Sequence, residues 1–268
     1  MDLRSEVLYS QVRVKTHQAG GSGTIIYSKD ASTYILTCHH VVEGVISVKR
    51  EWDPRLGRDK KREFRQSVGC EFFDYENIPH GHRPINYSVD ADLLAWDRDH
   101  DLALLKLRTT RPTKYIAKLP SPNDVEKFDV GAKLVAVGCA LLHDPILTEG
   151  IITHMGDEAD FKDYWMGSAQ IVFGSSGGAV FSPLNDTYNF IGVPSRVVVI
   201  GWGTPITHLG YFAPISRIYK FFEEQLYGFL IPGSTETEAS CAQARKKLSE
   251  DEARRITSDD SRPMLEED

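Results

Sequence analysis

The sequence predicts an all-β protein built from two six-stranded antiparallel β-barrels, followed by a C-terminal helix and a polar tail. Short apolar runs alternate with turn residues from Val7 to Pro214, which is typical of short strands. The 13 prolines and 21 glycines are spread between these runs, so turns occur all along the chain. With 268 residues, of which 41% are hydrophobic, the chain is long enough to bury one large core or two small ones.

The first half contains enough strands for one small barrel. A flexible glycine turn at Gly20-Gly21-Ser22-Gly23 is predicted between the first two strands, and the third strand ends at His39 and His40. Residues 49–65 hold 8 Lys/Arg and 4 Asp/Glu and predict an exposed basic hairpin or insertion. We interpret it as a solvated face, with a docking site for an acidic partner as the alternative. Strands are predicted over residues 7–14, 24–27, 34–38, 68–73, 87–96 and 102–107.

The second half begins after a connector rich in Pro, Thr and polar residues at 109–128. Its apolar runs predict a second barrel, and residues 216–227 predict an amphipathic helix that caps it. Past Pro232 the sequence predicts a polar, flexible tail with at most a short helix near 250–256. We therefore expect three parts, residues 1–119, 120–232 and 233–268. The strands of the second barrel are predicted over residues 132–137, 148–153, 164–172, 178–181, 189–193, 197–202 and 210–214.

Charge, hydropathy and cysteine content exclude several classes of function. The net charge is −7, of which residues 233–268 contribute −4 (6 Lys/Arg minus 10 Asp/Glu), leaving −3 for the rest; neither nucleic-acid nor membrane binding is predicted. The N-terminus has no apolar core of a secretory signal, so we expect a cytoplasmic protein; a viral or host-cell context stays open as an alternative. The four cysteines are isolated and predict free thiols. His80-Gly81-His82 lies between two prolines and indicates a turn, not a metal site.

Three short segments combine residue types that a serine nucleophile requires. A serine hydroxyl needs an adjacent base, a group that orients this base, and amide donors for the oxyanion. Phe173-Gly174-Ser175-Ser176-Gly177-Gly178 offers a tight loop in which the N–H groups of Gly174 and Ser176 can point at one spot. His40 ends an apolar strand, and Asp101 directly precedes another. His39 and Asp99 are the rival assignments, although alternation along a strand lets only one histidine face the cleft.

The order His, Asp, Ser along the chain is that of chymotrypsin-type enzymes, and further segments between residues 20 and 220 match one family in order. On these residues the chain resembles the trypsin-like clan, and within it the HtrA/Deg-type proteases more than the digestive enzymes. The matching segments are Gly21-Ser22-Gly23-Thr24-Ile25-Ile26, Tyr34-Ile35-Leu36-Thr37, His40-Val41-Val42, Asp101-Leu102-Ala103-Leu104-Leu105-Lys106-Leu107, Gly131, Val135-Ala136-Val137-Gly138, Gly150-Ile151-Ile152, Gly174-Ser175-Ser176-Gly177-Gly178, Ile191-Gly192 and Phe212-Ala213-Pro214-Ile215.

The resemblance implies a chymotrypsin-like double barrel and a serine endopeptidase that needs no metal or organic cofactor. His40 would be the general base, Asp101 its orienting partner and Ser176 the nucleophile, with the amides of Gly174 and Ser176 as the oxyanion hole. Digestive relatives have an Asp immediately before the nucleophile, but this chain has Ser175. We therefore expect no zymogen cleavage. No PDZ-sized segment follows the protease part, so regulation by a PDZ domain is not expected.

The family's substrate pocket falls on residues just before the nucleophile and on the strands after it. The candidates in this chain are Gln170, Ile171, Val193, Ser195 and His208. The stretches from which these candidates come, 170–173, 191–195 and 207–210, contain no acidic residue. Nothing would therefore pair with a buried Lys or Arg, and trypsin-like basic specificity is not expected. His208 is interpreted as a structural histidine, with a role in reading Gln or Glu as the alternative.

The sequence thus predicts a serine endopeptidase that acts on protein or peptide substrates through an acyl-enzyme. One alternative is a catalytically silent binding or scaffold protein that kept the two barrels. Another is a viral-type protease that processes a polyprotein at a fixed sequence. The sequence makes no prediction about the oligomeric state.

Overall fold

The structure is a computed structural model that describes residues 2–54, 57–78, 81–159 and 162–259. The first half forms a closed barrel in the order β1-β2-β3-β8-β7-β6, and a separate two-stranded sheet pairs β4 with β5. All neighbouring strands are antiparallel. The eight strands are β1 (Gln11–Lys15), β2 (Gly20–Lys29), β3 (Ser32–Thr37), β4 (Ile46–Asp53), β5 (Arg58–Arg65), β6 (Val68–Ile78), β7 (Gly81–Asp97) and β8 (Leu102–Leu107).

The second half forms another closed barrel, in the order β10-β11-β14-β13-β12-β9, again with antiparallel neighbours. The two-barrel, mostly β fold predicted from the sequence is therefore confirmed. The strands predicted separately at 189–193 and 197–202 form one long strand, β13, which ends at Ile200. The strands are β9 (Lys133–Gly138), β10 (Ile146–Ala159), β11 (Lys162–Gly167), β12 (Ala179–Leu184), β13 (Thr187–Ile200) and β14 (Thr204–Pro214).

Helices are short except at the C-terminus. The predicted capping helix is α2, and its buried face includes Ile218, Phe221 and Phe222. Within the described residues no helix is both long and apolar enough to cross a membrane. The α-helices are α1 (His39–Val42), α2 (Ile215–Glu224) and α3 (Glu238–Asp259); 3-10 turns cover Glu43–Val45, Pro122–Lys127, Ala140–Leu142 and Gly228–Leu230, and a π-helical turn covers Arg4–Leu8.

The glycine segment at 20–23, which we predicted to be a turn, is instead the start of β2. The turn lies earlier, where the Thr16 N–H donates to the Ala19 carbonyl at 2.9 Å. The glycines are needed because other chain segments approach their backbone closely. A Cβ on Gly21 would lie 2.7 Å from the Val41 side chain and 2.9 Å from the Ser176 carbonyl oxygen. β2 therefore passes directly beside the predicted nucleophile.

The basic segment forms the β4–β5 hairpin, whose strands pair from Ile46 with Arg65 to Asp53 with Arg58. Nearly all of β5 is exposed. Part of the positive charge is balanced locally, because Arg62 pairs with Glu51 at 3.3 Å and Arg65 with Glu63 at 2.7 Å. The hairpin follows α1 almost directly and is separate from both barrel sheets.

The tail after Pro232 contains a longer helix than the sequence predicted. α3 begins at Glu238 instead of near residue 250, because its first turns pack on the first barrel. The Glu238 carboxylate accepts hydrogen bonds from Tyr34 Oη at 2.6 Å and Ser32 Oγ at 3.0 Å, and pairs with Lys106 Nζ at 2.7 Å. Cys241, on the first turn of α3, is also buried. Periodicity could not predict this anchor, because α3 has a weakly amphipathic, polar sequence. The domain boundaries at 119/120 and 232/233 stay predictions.

Candidate active site

His40 and Asp101 form a close pair where the first barrel faces the second. His40 lies on α1, three residues after the end of β3 at Thr37, and Asp101 lies in the turn between β7 and β8. His40 Nδ1 is 2.7 Å from Asp101 Oδ2, and the His40 backbone N–H donates to Asp101 Oδ1 at 2.9 Å. Asp101 is buried, with a left-handed φ of 56°, whereas the His40 side chain is 46% exposed. A buried carboxylate thus orients an accessible imidazole.

The neighbouring His39 and Asp99 occupy different environments. His39 is buried and faces Glu43 across 4.0 Å, and burial lowers its pKa below the ordinary histidine value. Asp99 is exposed. The two histidines lie on the helical turn α1 and not at the end of a strand. The prediction that they face different environments is therefore right, but the strand alternation from which it was made is not the cause. Among these four residues, the structure brings together His40 and Asp101.

Ser195 is a further polar group at this site, and sequence reasoning assigned it to the substrate pocket. Its buried hydroxyl donates to Asp101 Oδ2 at 2.5 Å. Burial raises the pKa of the Asp101 carboxyl, but hydrogen bonds from His40 and Ser195 outweigh burial and bring this pKa below its ordinary value. In the sequence, Ser195 is recognisable only as a single serine within the apolar run of β13. This pattern does not indicate that its hydroxyl binds Asp101, which lies 94 residues earlier.

Ser176 lies in a loop that is wedged between the two barrels. The Ser176 carbonyl accepts the Ser22 N–H from β2 at 2.8 Å, and the Gly177 N–H donates to the Pro194 carbonyl on β13 at 3.0 Å. Gly177 has a φ of 84°, and a Cβ there would lie 2.2 Å from the Ser22 carbonyl oxygen. The Ser176 Oγ lies 3.4 Å from the Ser195 carbonyl oxygen. Ser195 therefore contacts both Ser176 and Asp101.

Two peptide units of this loop have their carbonyl groups fixed. The Phe173 carbonyl accepts the Leu141 N–H at 2.7 Å, and the Ser175 carbonyl accepts the Gly178 N–H at 3.0 Å. In a trans peptide the N–H points opposite to the carbonyl, and none of the described peptide bonds is cis. The N–H groups of Gly174 and Ser176 consequently point away from these contacts. Gly174 has a φ of 89°, and a Cβ on it would lie 2.7 Å from the Cys139 carbonyl oxygen.

This arrangement agrees with a comparison of the chain with known families. The trypsin-like peptidase domain matches residues 21–193, which is well over half of the chain. The chain belongs to this family. Among solved structures it is similar to the HtrA-type protease AlgW with tripeptide, with 18% sequence identity and a TM-score of 0.60. The match covers 84% of this chain and 62% of the other, so the chain spans less than two thirds of that protein's length. No curated protein sequence matched significantly.

A cavity of about 150 Å³ lies next to Ser175, the residue before the predicted nucleophile. Its lining contains no charged residue. Gln170, one of the residues predicted for the substrate pocket, lines this cavity. Ile171 and Val193 instead belong to the buried hydrophobic core, and His208 is exposed. The lining residues are Ala136, Val137, Gly138, Ala140, Ile146, Thr148, Gln170, Val172, Ser175 and Pro194.

The residue before the predicted nucleophile is held by local contacts. Ser175 is buried, its N–H donates to the Val172 carbonyl at 3.0 Å, and its Oγ lies 3.4 Å from the Val172 nitrogen. These contacts close a tight turn without any ionised group. The segment of Gly174 is also tied to β2, because Ser22 Oγ donates to the Gly174 carbonyl at 2.7 Å. The loop is thus fixed by neutral hydrogen bonds.

One group of side chains in the described residues has donor atoms close enough for a metal ion. It consists of Cys38, His40 and Asp101, whose donor atoms lie within 4.8 Å of one another. Cys38 is fully buried, its Sγ is 3.2 Å from the Pro194 carbonyl oxygen, and burial raises the pKa of its thiol. All three groups already have hydrogen-bond partners, so we assign no metal to them. His80 lies outside the described residues.

Proposed function

We propose that this chain is a serine endopeptidase with His40, Asp101 and Ser176 as its catalytic triad. The observation that carries the proposal is the buried Asp101 carboxylate, which is 2.7 Å from His40 Nδ1 and accepts a second hydrogen bond from Ser195. A carboxylate in this position holds the imidazole in the tautomer whose Nε2 can accept a proton. Membership of a peptidase family supports the same chemistry.

His40 would take the proton of the Ser176 hydroxyl while Oγ attacks the carbonyl carbon of a peptide bond. The amides of Gly174 and Ser176 would donate to the oxyanion, because both point away from the loop's own contacts. Collapse of the tetrahedral intermediate, with His40 as general acid, would release the amine product and leave an acyl-enzyme on Ser176. Water activated by His40 would then release the acid product.

We further propose that the enzyme acts without zymogen cleavage and does not prefer Lys or Arg before the scissile bond. Support for the first point is the neutral hydrogen bonding of Ser175, which needs no newly formed N-terminal amine. Support for the second is the uncharged cavity beside it, since a buried basic side chain without a carboxylate partner is costly. Protein or peptide substrates are implied by the same chemistry.

A fluorophosphonate probe tests the nucleophile directly, because it reacts with an activated serine hydroxyl. We expect the wild-type protein to be labelled, Ser175→Ala to keep the label and Ser176→Ala to lose it. Peptide mapping should place the adduct on Ser176. A folded wild-type protein that takes up no label and cleaves no member of a peptide library would instead indicate a silent binding protein.

A further inference from the structure

The β4–β5 hairpin carries a charge opposite to that of the rest of the chain. Residues 49–65 have a net charge of +4 (8 Lys/Arg minus 4 Asp/Glu), whereas the remaining residues carry −11 (23 Lys/Arg minus 34 Asp/Glu). Among the described strands, the two strands of the hairpin pair only with each other, and nearly all of β5 is exposed. The positive charge is therefore presented on a separate ribbon and not on the sheet of either barrel.

The register of the hairpin places like charges opposite one another. Lys49 lies opposite Arg62, and on the next pair Arg50 lies opposite Lys61. Neighbouring strands are about 4.8 Å apart, which is well inside the Debye length of about 8 Å at physiological ionic strength. Like charges in this position destabilise a pair of strands. The folding of the hairpin does not favour this arrangement, whereas an anionic partner would offset the repulsion.

The protein itself neutralises little of this charge. We call residues 49–51 and 60–62 the basic band, which holds five Lys/Arg and one acidic residue. That acidic residue, Glu51, pairs with Arg62 at 3.3 Å, and no other carboxylate of the described chain forms an ion pair with the band. All the Lys and Arg residues of the band are exposed. The band therefore offers positive charge to a partner in solution.

Two large apolar side chains flank the basic band on one face. Because successive residues of a strand point to opposite faces, Val48, Arg50 and Trp52 share one face of β4. Val48 is 59% exposed and Trp52 is 63% exposed, which favours a protein as the partner. Asp59 and Glu63 lie on the same face, opposite Trp52 and Val48. Their carboxylates would repel a continuous phosphate backbone, which disfavours a nucleic acid.

The base of the hairpin is fixed to the elements that carry the candidate active site. α1, which contains His40, is joined to β4 by a short 3-10 turn. At the end of β5, Arg65 Nη1 donates to the Leu93 and Leu94 carbonyls, each at 2.9 Å. The Arg65 guanidinium also lies 4.4 Å from the centre of the Trp96 ring. A polypeptide bound to the basic band is therefore tethered to the element that carries the proposed general base.

We propose that the basic band is a secondary binding site for an acidic segment of the protein substrate, in which apolar residues flank the acidic ones. This inference rests on the proposed function. The carboxylates of the segment pair with the cations of the band, and its apolar side chains contact Val48 and Trp52. The segment lies outside the stretch that is cleaved, and its binding raises the local concentration of the scissile bond. The enzyme thereby selects substrates by charge in addition to the residues that enter the cleft.

The kinetic test compares two peptides that share one cleavage site, mapped in a denatured protein. One carries the segment Leu-Ser-Glu-Glu-Glu-Ser-Leu on a flexible Gly-Ser linker, and the other has Gln in place of each Glu; both are made with the segment before or after the site. We expect kcat/KM to be about tenfold higher for the Glu peptide in one of these attachments, through a lower KM at unchanged kcat. This gain should disappear in about 1 M NaCl. Equal values for both peptides in either attachment would overturn the proposal.

Lys61→Glu separates binding from the stability of the hairpin. The variant turns the like-charged pair with Arg50 into an oppositely charged one, so amide hydrogen exchange in β4 and β5 should slow. The gain for the Glu peptide should fall below about twofold, while the rate on the Gln peptide stays unchanged. Lys29→Glu is the matched control, because it makes the same change of net charge at an exposed lysine at the end of β2. Faster exchange in Lys61→Glu, or an equal loss of the gain in the control, would overturn the proposal.

A binding test separates this inference from the proposed chemistry. The fluorescein-labelled Leu-Ser-Glu-Glu-Glu-Ser-Leu peptide is titrated into the Ser176→Ala protein, followed by anisotropy. We expect saturable binding that Lys61→Glu weakens about tenfold and Lys29→Glu leaves unchanged. Binding without any fluorophosphonate labelling of the wild type would refute the proposed function but not the binding of acidic segments. Absence of binding by a protein whose Ser176 is labelled would refute the basic band as a binding site alone.

Two other occupants would also overturn the inference. A nucleic acid would show as tighter binding of a fluorescein-labelled single-stranded oligonucleotide than of the peptide, lost in Lys61→Glu. A second copy of the chain would show as wild-type dimers in sedimentation velocity that become monomers in Lys61→Glu. We expect neither, since the carboxylates of the hairpin repel a phosphate backbone and two chains of net charge −7 repel each other.

Discussion

Arg217 on α2 forms an ion pair with Asp97 at the end of β7, with Arg217 Nη2 2.9 Å from Asp97 Oδ2. Both side chains are largely buried. Asp97 Oδ1 also accepts the N–H groups of Asp99 and His100, at 2.8 and 3.0 Å. These contacts fix the turn that ends at Asp101. Burial raises the pKa of Asp97, but the hydrogen bonds from His100 and Arg217 outweigh it and lower this pKa overall.

Replacement of Arg217 by Met removes the ion pair with Asp97. The turn that positions Asp101 should then be held less firmly, although Arg217 does not contact Asp101 itself. We expect kcat to fall about tenfold with little change in KM, which corresponds to about 1.4 kcal/mol. The low-field NMR signal of the proton between His40 and Asp101 should shift or broaden. Lys220→Met, on the exposed side of the same helix, is the control. A lower fraction of fluorophosphonate-reactive protein, with unchanged turnover per reactive site, would contradict this role.

Loss of the Ser195 hydroxyl should affect the site directly. Ser195→Ala leaves Asp101 Oδ2 with one hydrogen-bond donor fewer, a change worth about 1–3 kcal/mol for a buried group. We expect kcat/KM to decrease by about one to two orders of magnitude. Ser182→Ala removes an equally buried hydroxyl, bonded to the Lys133 carbonyl at 2.8 Å. If both variants lose activity equally, Ser195 has no specific role.

The ion pair of Glu71 with Arg13 should make the loop that contains Gly174 and Ser176 sensitive to acid. Arg13 Nη1 donates to the Leu142 carbonyl at 2.6 Å, and the adjacent Leu141 holds the Phe173 carbonyl. The hydrogen bond from Arg13, with further help from Lys15, lowers the pKa of Glu71 to about 2. A depressed folded-state pKa stabilises the protein above the ordinary value of 4.5, and this contribution is lost as the pH falls toward about 2.

Glu71→Gln should therefore be destabilised at pH 7 by about 1–2 kcal/mol, after allowance for solvent screening. The difference from the wild type should shrink as the pH falls from about 4.5 toward 2. Urea unfolding across this pH range measures it. The control is Glu149→Gln, which removes the exposed pair with Lys133 and should change little. A difference that stays constant with pH would contradict the assignment.

Glu238 should be the main anchor of α3 on the first barrel. Glu238→Gln weakens the charge-assisted hydrogen bonds from Tyr34, Ser32 and Lys106, at a cost of about 1–2 kcal/mol. We expect faster amide hydrogen exchange in residues 238–245, with the barrels unchanged. Glu223→Gln on the exposed face of α2 serves as control. Unaltered exchange in α3 would show that the anchor lies elsewhere.

The sequence by itself determined the two-barrel fold and selected His40, Asp101 and Ser176 as candidates. These conclusions depend on short-range features: strand alternation, turn residues and the order of motifs along the chain. The glycine segment at 20–23 was misassigned because its glycines serve close approach by Val41 and Ser176, and both lie far away in sequence. The length of the helix in the tail was not predicted, because the partners that hold Glu238 are on β3 and β8.

Only the tertiary structure decided which distant groups meet. Ser195 reaches Asp101 across 94 residues and Arg217 reaches Asp97 across 120. Ile171 and Val193 do not line the cavity, because their side chains are buried in the hydrophobic core. The spacing of apolar residues predicts where a strand lies. It does not predict which distant residue binds a buried polar side chain, because that contact forms only when both barrels are folded. The distinction between His40 and His39 likewise depends on where α1 places each ring after the chain leaves β3.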